Sequence, residues 1–310
     1  MTRLRADLLL LVTAMIWGTA FVAQKVGNGA IGPFLFVGGR FFLSALLLAP
    51  LARREARTGQ HKLRRRDWLL GVGIGAALFS GSAIQQVALN STSVTNAGFL
   101  TALYIAFVPF VGWIVVRTRV RPIVLAAVVV SLLGAWLLAN HGTAPLTHGD
   151  FLVVGSAVLY ALHIILVSIF LKQTNRPFFL CLLQYSITAV LGAAIGFAVE
   201  PANLEALRGG LPTILYAGIF SGGLGYTFQI VAQRHTPATE AALIMSMESV
   251  FAALAAAILL GERLTLLAAV GCGLVLLGVI MVEVGPALPR RARKAETADD
   301  LPPLGTVPLD

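Results

Sequence analysis

Hydrophobic residues in this chain fall into long runs that are separated by short segments rich in arginine, glycine or proline. A helix needs about 20 mostly apolar residues to cross a bilayer, and the runs approach or reach that length. The pattern predicts ten membrane-spanning helices, at 8–26, 33–51, 68–89, 96–116, 122–139, 150–171, 178–199, 211–233, 238–260 and 264–284.

Only the polar sequence NSTSVTN at 90–96 divides the third predicted helix from the fourth. A single helix over 68–116 would be about 70 Å long at a rise of 1.5 Å per residue. The hydrocarbon core of a bilayer is only about 30 Å thick. Two spans are therefore expected here, and the fold class predicted is an all-α polytopic membrane protein.

The second half of the chain repeats the first at a nearly constant offset. At an offset of 144 residues, Pro33 matches Pro177, Thr92 matches Thr236 and Gly134 matches Gly278. At an offset of 143, Asp7 matches Asp150 and Trp17 matches Tyr160. The sequence FSG at 79–81 recurs at 220–222. Each unit holds five helices, and because five is odd the second unit must lie inverted in the membrane. We expect two inverted five-helix repeats at 1–140 and 141–285, and a disordered cytoplasmic tail at 286–310.

Composition excludes a soluble protein, because 57% of the residues are hydrophobic and only 12% are charged. Soluble domains carry roughly 25% charged residues. Cys181 and Cys272 both fall within predicted spans, which is typical of apolar filler residues and not of a disulfide or metal pair. No Walker pattern occurs, and a group of glycines lies within spans, so no nucleotide site or other cofactor is expected. These glycines are Gly71, Gly73, Gly75, Gly271, Gly273 and Gly278.

The basic residues orient the chain. With the N-terminus inside, 19 lysines and arginines fall in inside segments and 3 in outside segments, where Lys25 at the outer end of the first span is counted. The remaining one, Arg40, lies deep within a span. The positive-inside rule therefore places both termini in the cytoplasm, and we expect a multi-pass protein of the bacterial cytoplasmic (inner) membrane. Because the net charge of +9 comes from these short loops, it indicates lipid headgroup contacts and no nucleic-acid partner.

Glu248 is a carboxylate in the middle of the apolar sequence 236–265. An ionisable residue within a span marks a substrate or ion path by default. One interpretation is that it faces a central cavity, where it binds a substrate ammonium or takes up a coupling proton. The other is that it hydrogen-bonds a neighbouring helix and only fixes packing. Met245 lies three positions earlier and is expected on the same helix face.

Other polar and aromatic side chains within the spans are also candidates for the cavity, which we expect near the midplane between helices 1, 3, 4, 6, 8 and 9. Amides and phenols either line such a cavity or bond between helices, because they face lipid only at a cost. The candidate substrate-binding residues are Trp17, Gln85, Gln86, Phe99, Tyr104, Tyr160, His163, Tyr226, Gln229, Met245 and Glu248. No metal-ligand spacing surrounds His163, so no metal site is predicted.

Three further residues carry separate predictions. Arg40 has the neutral repeat partner Gln184, so it either pairs with a carboxylate or carbonyl or gates one side. Pro109 predicts a kink in the fourth helix, because proline removes a backbone hydrogen bond. Glu240 is interpreted as a helix N-terminal charge at the cytoplasmic surface.

Several sequence stretches resemble one transporter family. They are Trp17-Gly18, Pro33 with Arg40, ALNSTSVTNAGFL at 88–100 and ESVFAALAAAILLGERLT at 248–265. Over 7–284 the chain is similar to the EamA family of the drug/metabolite transporter superfamily. Ser249 stands where that family usually has proline, so the resemblance implies a milder kink there. Arg117 stands where the first-repeat copy of Leu-Gly-Glu would have glycine.

The resemblance implies a secondary transporter, not an enzyme, that exports amino acids or related small metabolites. The cavity aromatics are similar to the aromatic amino-acid exporter branch, so we expect aromatic or other apolar amino acids and alternating access. The expected partners are a small-molecule substrate and the lipid bilayer. The alternatives are a nucleotide-sugar, drug or cation carrier of the same superfamily, and then a channel. A lipid-modifying enzyme would need paired catalytic groups at one interface, and His148 with Asp150 is too sparse for that.

Overall fold

The computed structural model describes residues 1–58, 63–117, 120–138, 147–201, 203–261 and 265–284. Nearly all of these residues are helical, and none of them forms a strand. The helices are α1 (Arg3–Ala30), α2 (Pro33–Thr58), α3 (Arg65–Ala88), α4 (Val94–Ala102), α5 (Tyr104–Val116), α6 (Pro122–Leu138), α7 (His148–Thr174), α8 (Pro177–Val199), α9 (Leu204–Tyr216), a π-helical segment (Ala217–Gly225), α10 (Tyr226–Ala232), α11 (Ala238–Met245), α12 (Glu248–Leu260) and α13 (Leu266–Val284). The tail predicted at 286–310 lies outside the described residues.

These helices form ten spans. Eight spans are long and apolar enough to cross a membrane, and the shorter apolar helices Pro122–Leu137 and Leu266–Val282 complete the ten. Three of the eight are interrupted: α4 continues into α5, α9 into α10 through the π-helical segment, and α11 into α12. Several helices extend beyond the apolar runs, because polar residues at their ends continue the helical backbone. The prediction of ten transmembrane helices is confirmed.

The spans pack in a pattern with internal two-fold symmetry. Helix α2 lies against α8, and α6 lies against α13, so each of these pairs joins corresponding helices of the two halves. The contact of α3 with α7 is matched by that of α1 with the span formed by α9, the π-helical segment and α10. The contact of α1 with α11 and α12 is matched by that of α7 with α4 and α5. This pairing is what two inverted five-helix repeats produce, as the sequence predicts.

Glycines allow the closest of these approaches. A Cβ atom added to Gly38 would lie 2.7 Å from the Ala193 nitrogen, and one added to Gly192 would lie 2.7 Å from the Gly38 nitrogen. The backbones of α2 and α8 therefore touch where they cross. Small residues make such contacts possible between helices in lipid, where van der Waals packing contributes much of the association energy.

Large apolar side chains cover the outside of the bundle. Ile258 is 79% exposed, Leu266 is 84% exposed and Phe197 is 70% exposed. A water-soluble protein rarely exposes so much apolar surface, whereas a bilayer accepts it. Polar side chains such as Arg40 and Glu248 are instead buried within the bundle.

The fourth and ninth spans are interrupted at equivalent positions. In the fourth, the Leu103 N–H bonds to the Leu100 carbonyl at 3.3 Å, and in the ninth the Met247 N–H bonds to the Ile244 carbonyl at 3.2 Å. Both are tight turns that bond three residues back, and the two turn residues are 144 positions apart. The sequence predicts a kink at Pro109, but α5 runs through Pro109 and the interruption falls at Leu103 instead.

The eighth span contains the π-helical segment Ala217–Gly225, whose sequence AGIFSGGLG is rich in glycine. Its wide turns leave carbonyls that accept hydrogen bonds from other helices. The Ser44 hydroxyl donates to the Gly218 carbonyl at 2.8 Å, and the Trp17 indole N–H donates to the Ser221 carbonyl at 3.1 Å. π-helical turns are often found at functional sites, and this one borders the cavity described next.

Candidate functional site

A small cavity lies at the centre of the bundle, between the two repeats. Its volume is about 40 Å³, which is room for about three water molecules. The six spans expected to surround it all contribute, and α2 adds a seventh. The lining residues are Trp17, Phe21, Gln24, Arg40, Gln85, Thr101, Tyr104, Tyr160, His163, Ile164, Ser221, Tyr226, Gln229 and Glu248.

The two span interruptions bring repeat-equivalent residues to this cavity. Tyr104 is the first residue of α5, Glu248 is the first residue of α12, and they are 144 positions apart. Both side chains are 2% exposed and line the same cavity. Among the described residues, neither the Tyr104 hydroxyl nor Glu248 Oε1 has a hydrogen-bond partner. The start of a helix favours a carboxylate electrostatically, which helps explain how Glu248 is tolerated at this depth.

Arg40 faces the same cavity from α2 and is 2% exposed. One terminal nitrogen donates to Gln24 Oε1 at 2.9 Å, and the guanidinium lies 4.9 Å from the centre of the Phe41 ring. Its Nε–H has no hydrogen-bond partner. Among the described residues no carboxylate forms an ion pair with Arg40. Of the partners considered from the sequence, the structure shows a carbonyl, that of the Gln24 side-chain amide.

Aromatic rings form another part of the cavity wall. The Trp17 and Tyr226 ring centres are 4.6 Å apart, and His163 meets the Tyr226 ring edge-on at 6.0 Å. His163 Nε2 bonds to Gln184 Oε1 at 2.9 Å, so Gln184 holds the imidazole in place. The wall is therefore an ordered aromatic surface, which suits a flat or apolar substrate group.

A short chain of hydrogen bonds continues the wall across the repeats. The Tyr160 hydroxyl donates to Gln85 Oε1 at 3.1 Å, and Gln85 Nε2 donates to the Thr101 hydroxyl at 2.7 Å. Gln229 differs, because its Oε1 has no partner although the residue is 1% exposed. The unpartnered polar atoms of the cavity are thus concentrated on Arg40, Tyr104, Gln229 and Glu248.

Eight of the eleven candidate residues line the cavity, and three do not. Gln86 donates to Asn28 Oδ1 at 2.7 Å, because neighbouring residues on α3 point about 100° apart and Gln85 takes the cavity side. Phe99 belongs to a buried apolar cluster with Val250. Met245 is fully buried in the larger apolar cluster, because the turn at Met247 removes it from the face of Glu248. The expectation that these three face the cavity is corrected.

The structure adds six lining residues: Phe21, Gln24, Arg40, Thr101, Ile164 and Ser221. Arg40 was recognisable as the arginine deep within a predicted span, although its neutral repeat partner Gln184 gave it no symmetric role. Gln24 lies seven residues after Trp17, two helical turns along the same face of α1, and that spacing was a usable signal. Ser221 carries no such signal, since the π-helical segment shifts the face it presents.

The same hydrogen bond joins the two repeats at each end of the bundle. At one end the Thr236 hydroxyl donates to Asp7 Oδ1 at 2.7 Å, and we call this pair the Asp7 latch. At the other end the Thr92 hydroxyl donates to Asp150 Oδ1 at 2.5 Å, and we call this pair the Asp150 latch. The four residues are two repeat-related pairs.

Charged side chains reinforce the two ends differently. Glu240 lies in the first turn of α11, as the sequence predicts, and its buried carboxylate forms ion pairs with Arg3 and Arg121 next to the Asp7 latch. At the other end Lys25 donates to the Leu89 carbonyl and, at 2.8 Å, to the Thr92 carbonyl. Because Lys25 is 18 residues beyond Asp7 on α1, the two latches lie about 27 Å apart along that helix.

The sequence profile of the EamA-like transporter family matches the chain twice, over residues 4–140 and 147–284. The chain belongs to the EamA-like transporter family. Each latch joins one matched segment to the other. The family resemblance noted from the sequence is confirmed, while the aromatic amino-acid branch stays a prediction.

Relatives of this EamA-family chain carry the description of transporters. An uncharacterized transporter of Archaeoglobus fulgidus is 31% identical over 283 residues, which cover 91% of this chain and 87% of the relative. The uncharacterized transporter YwfM of Bacillus subtilis is 25% identical over 300 residues, which cover 94% of this chain and 97% of the relative. A crystal structure with 18% identity matches at a TM-score of 0.71 over 91% of this chain and 98% of its own, and so shares the fold. The chain is therefore a membrane transporter by family.

Proposed function

We propose that this EamA-family protein is a secondary transporter that exports amino acids with aromatic or other apolar side chains. The observation that carries the proposal is the central cavity, where aromatic rings and unpartnered polar atoms face one another. The rings suit an apolar side chain, and the Glu248 carboxylate suits an ammonium group. Glu248 taking up a coupling proton is a second role that is compatible with the same site.

Alternating access is supported by the two latches and the small cavity. A volume of about 40 Å³ does not hold an amino acid of nine or more heavy atoms, so substrate enters only after one end opens. The two latches are equivalent in chemistry and join the same two bodies. Rocking of one repeat against the other would break one latch and keep the other.

The orientation in the membrane follows from the loop charges. The Asp7 end carries Arg3 and Arg121, and the sequence places an excess of lysine and arginine on this side. We therefore assign the Asp7 end to the cytoplasm and the Asp150 end to the outside of a bacterial inner membrane. In this orientation an exported substrate enters past the Asp7 latch.

Counterflow in proteoliposomes tests the proposed substrate class. Vesicles loaded with unlabelled phenylalanine should accumulate labelled phenylalanine, and the initial rate should saturate with its concentration. Trp17→Leu should lower this rate at least tenfold, whereas Met245→Leu should leave it nearly unchanged because that residue lies outside the cavity. If no amino acid exchanges, the substrate class is wrong. Flux that does not saturate would indicate a channel.

An organic-cation carrier is the second candidate, because Glu248 lacks a protein cation as partner. Labelled phenethylamine in the same vesicles distinguishes the two candidates, since it keeps the ammonium and the ring but lacks the carboxylate. Exchange of phenethylamine without exchange of phenylalanine would support the cation carrier. The Arg40 guanidinium at the cavity disfavours that result.

A further inference from the structure

The cavity is lined by one arginine and one glutamate, which do not form an ion pair with each other. Arg40 and Glu248 both line it, both are 2% exposed, and each has an unpartnered polar atom. Burying an unpaired charge at membrane depth is costly unless a ligand or ion completes the pairing. Tyr160 lines the same cavity, and its hydroxyl donates to Gln85 Oε1 at 3.1 Å.

Arg40 is held so that part of its hydrogen-bonding capacity is used and part is free. Gln24 accepts from one terminal nitrogen at 2.9 Å, and the Phe41 ring lies below the guanidinium at 4.9 Å from its centre. The Nε–H remains without a partner. A guanidinium fixed in this way presents a fork that matches a carboxylate, and less conformational freedom is lost when the carboxylate binds.

The repeat comparison argues that Arg40 is not part of the shared scaffold. Its equivalent, Gln184, bonds to His163 Nε2 at 2.9 Å and does not line the cavity. The equivalent of Glu248 is Tyr104. The first repeat therefore contributes the arginine of the cavity, and the second contributes the glutamate.

We propose that Arg40 binds the carboxylate of the transported molecule and Glu248 its ammonium, so that the cavity selects a zwitterion. This inference rests on the proposed function and specifies its substrate chemistry. A carboxylate on Arg40 is expected to favour phenylalanine over phenethylamine by at least tenfold, as a charge-assisted hydrogen bond of about 1.5–3 kcal/mol would give.

Ligand binding to the full-length protein in detergent tests this assignment. The affinities for phenylalanine, phenethylamine and 3-phenylpropionate are measured from the concentration dependence of the thermal unfolding temperature. In the wild type phenylalanine should bind most tightly. In Arg40→Gln its preference over phenethylamine should fall at least tenfold, while phenethylamine affinity changes less than threefold. Arg176→Gln is the matched control, because this arginine is also buried but pairs with Glu55 and does not line the cavity. It should keep the wild-type preference, although it lowers the unfolding temperature.

A purely structural role for Arg40 predicts a different pattern. Arg40→Gln would then weaken phenylalanine and phenethylamine by the same factor, which would overturn the assignment, as would an equal loss of preference in Arg176→Gln. Should Arg40→Gln not fold, Arg40→Lys makes the same test, because lysine keeps the charge but lacks the Nε–H fork. It should lose part of the preference, and an unchanged preference would also overturn the assignment.

The same measurements separate this inference from the proposed function. If the wild type binds 3-phenylpropionate but not phenylalanine, amino-acid export is wrong. Loss of that binding in Arg40→Gln would still support Arg40 as a carboxylate site. If the wild type exchanges phenylalanine but shows no preference over phenethylamine, the Arg40 assignment is wrong and amino-acid transport stands. If none of the three ligands binds, both proposals fall.

Discussion

Removing one latch at a time should open one end of the transporter at a time. Thr236→Val keeps the shape of the side chain but deletes the hydroxyl that donates to Asp7 at 2.7 Å, and Thr92→Val does the same to Asp150 at 2.5 Å. A hydrogen bond to a charged group is worth about 1.5–3 kcal/mol. Each carboxylate keeps another partner, Arg3 at 3.3 Å or Thr147 at 2.7 Å, so the lower figure applies. About 1.4 kcal/mol is tenfold, and we expect roughly tenfold more molecules open at that end.

Cysteine accessibility from each side of the membrane measures this shift. The native Cys181 and Cys272 are replaced by alanine, and Ser221→Cys places a reporter on the cavity wall. A small membrane-impermeant thiol reagent is then applied to either face of oriented vesicles. Thr236→Val should speed labelling about tenfold from the Asp7 face only, and Thr92→Val from the Asp150 face only.

The matched control for the latch experiment is Thr174→Val. Its hydroxyl is also buried, but it donates to the Phe170 carbonyl of its own helix at 2.9 Å and not across the repeats. This variant should change labelling from neither face. Equal acceleration from both faces in either latch variant, or no acceleration in both, would refute the view that the two hydrogen bonds close opposite ends.

Two other substitutions test the site and the helix packing. Glu248→Gln keeps the size of the side chain but loses its charge, so phenylalanine counterflow should fall at least tenfold, and unchanged transport at every pH would leave only a packing role for Glu248. Gly18→Ala places a Cβ 2.5 Å from Phe251 Cβ and 2.7 Å from the Glu248 carbonyl, so thermal unfolding in detergent should show destabilisation of about 1–3 kcal/mol. Gly29→Ala on the same helix is the control, because a Cβ added there meets nothing within 4 Å, and it should be neutral or stabilising by about 0.5–1 kcal/mol. Similar unfolding temperatures for the two glycine variants would contradict the close approach of α1 to α12.

The fold could be predicted because lipid imposes a simple rule on the sequence. Each span needs a long apolar run, and the constant offset between matching residues identified the duplication and its inversion. The interruption at Leu103 was not predictable in this way, since Leu103 is an ordinary helix-forming residue and Pro109 gave the stronger local signal. The interruption at Leu103 is recognisable only by comparison with the second repeat, where the equivalent residue Met247 precedes Glu248.

The types of residue that line the site could be predicted better than the direction in which each side chain points. Polar and aromatic residues within spans pointed to the cavity, but the side of the helix that faces it depends on the rotation of each helix, which no local pattern fixes. Met245 illustrates the limit. A continuous helix would place it on the face of Glu248, and the tight turn at Met247 places it in the apolar core instead. The latch residues were visible as repeat matches, whereas their pairing across the repeats depends on how the two halves pack.

The two ends share one latch chemistry, so a difference in their stability must come from the groups around the latches. At the Asp7 end Glu240 pairs with Arg3 and Arg121, whose side chains are 41% and 44% exposed, and salt weakens ion pairs of this kind. At the Asp150 end Lys25 binds backbone carbonyls, which are neutral acceptors and less sensitive to salt. Raising ionic strength should therefore favour opening at the Asp7 end relative to the Asp150 end. In the proposed orientation this means easier access from the cytoplasm, and labelling of Ser221→Cys at two salt concentrations would show it as faster modification from that face alone.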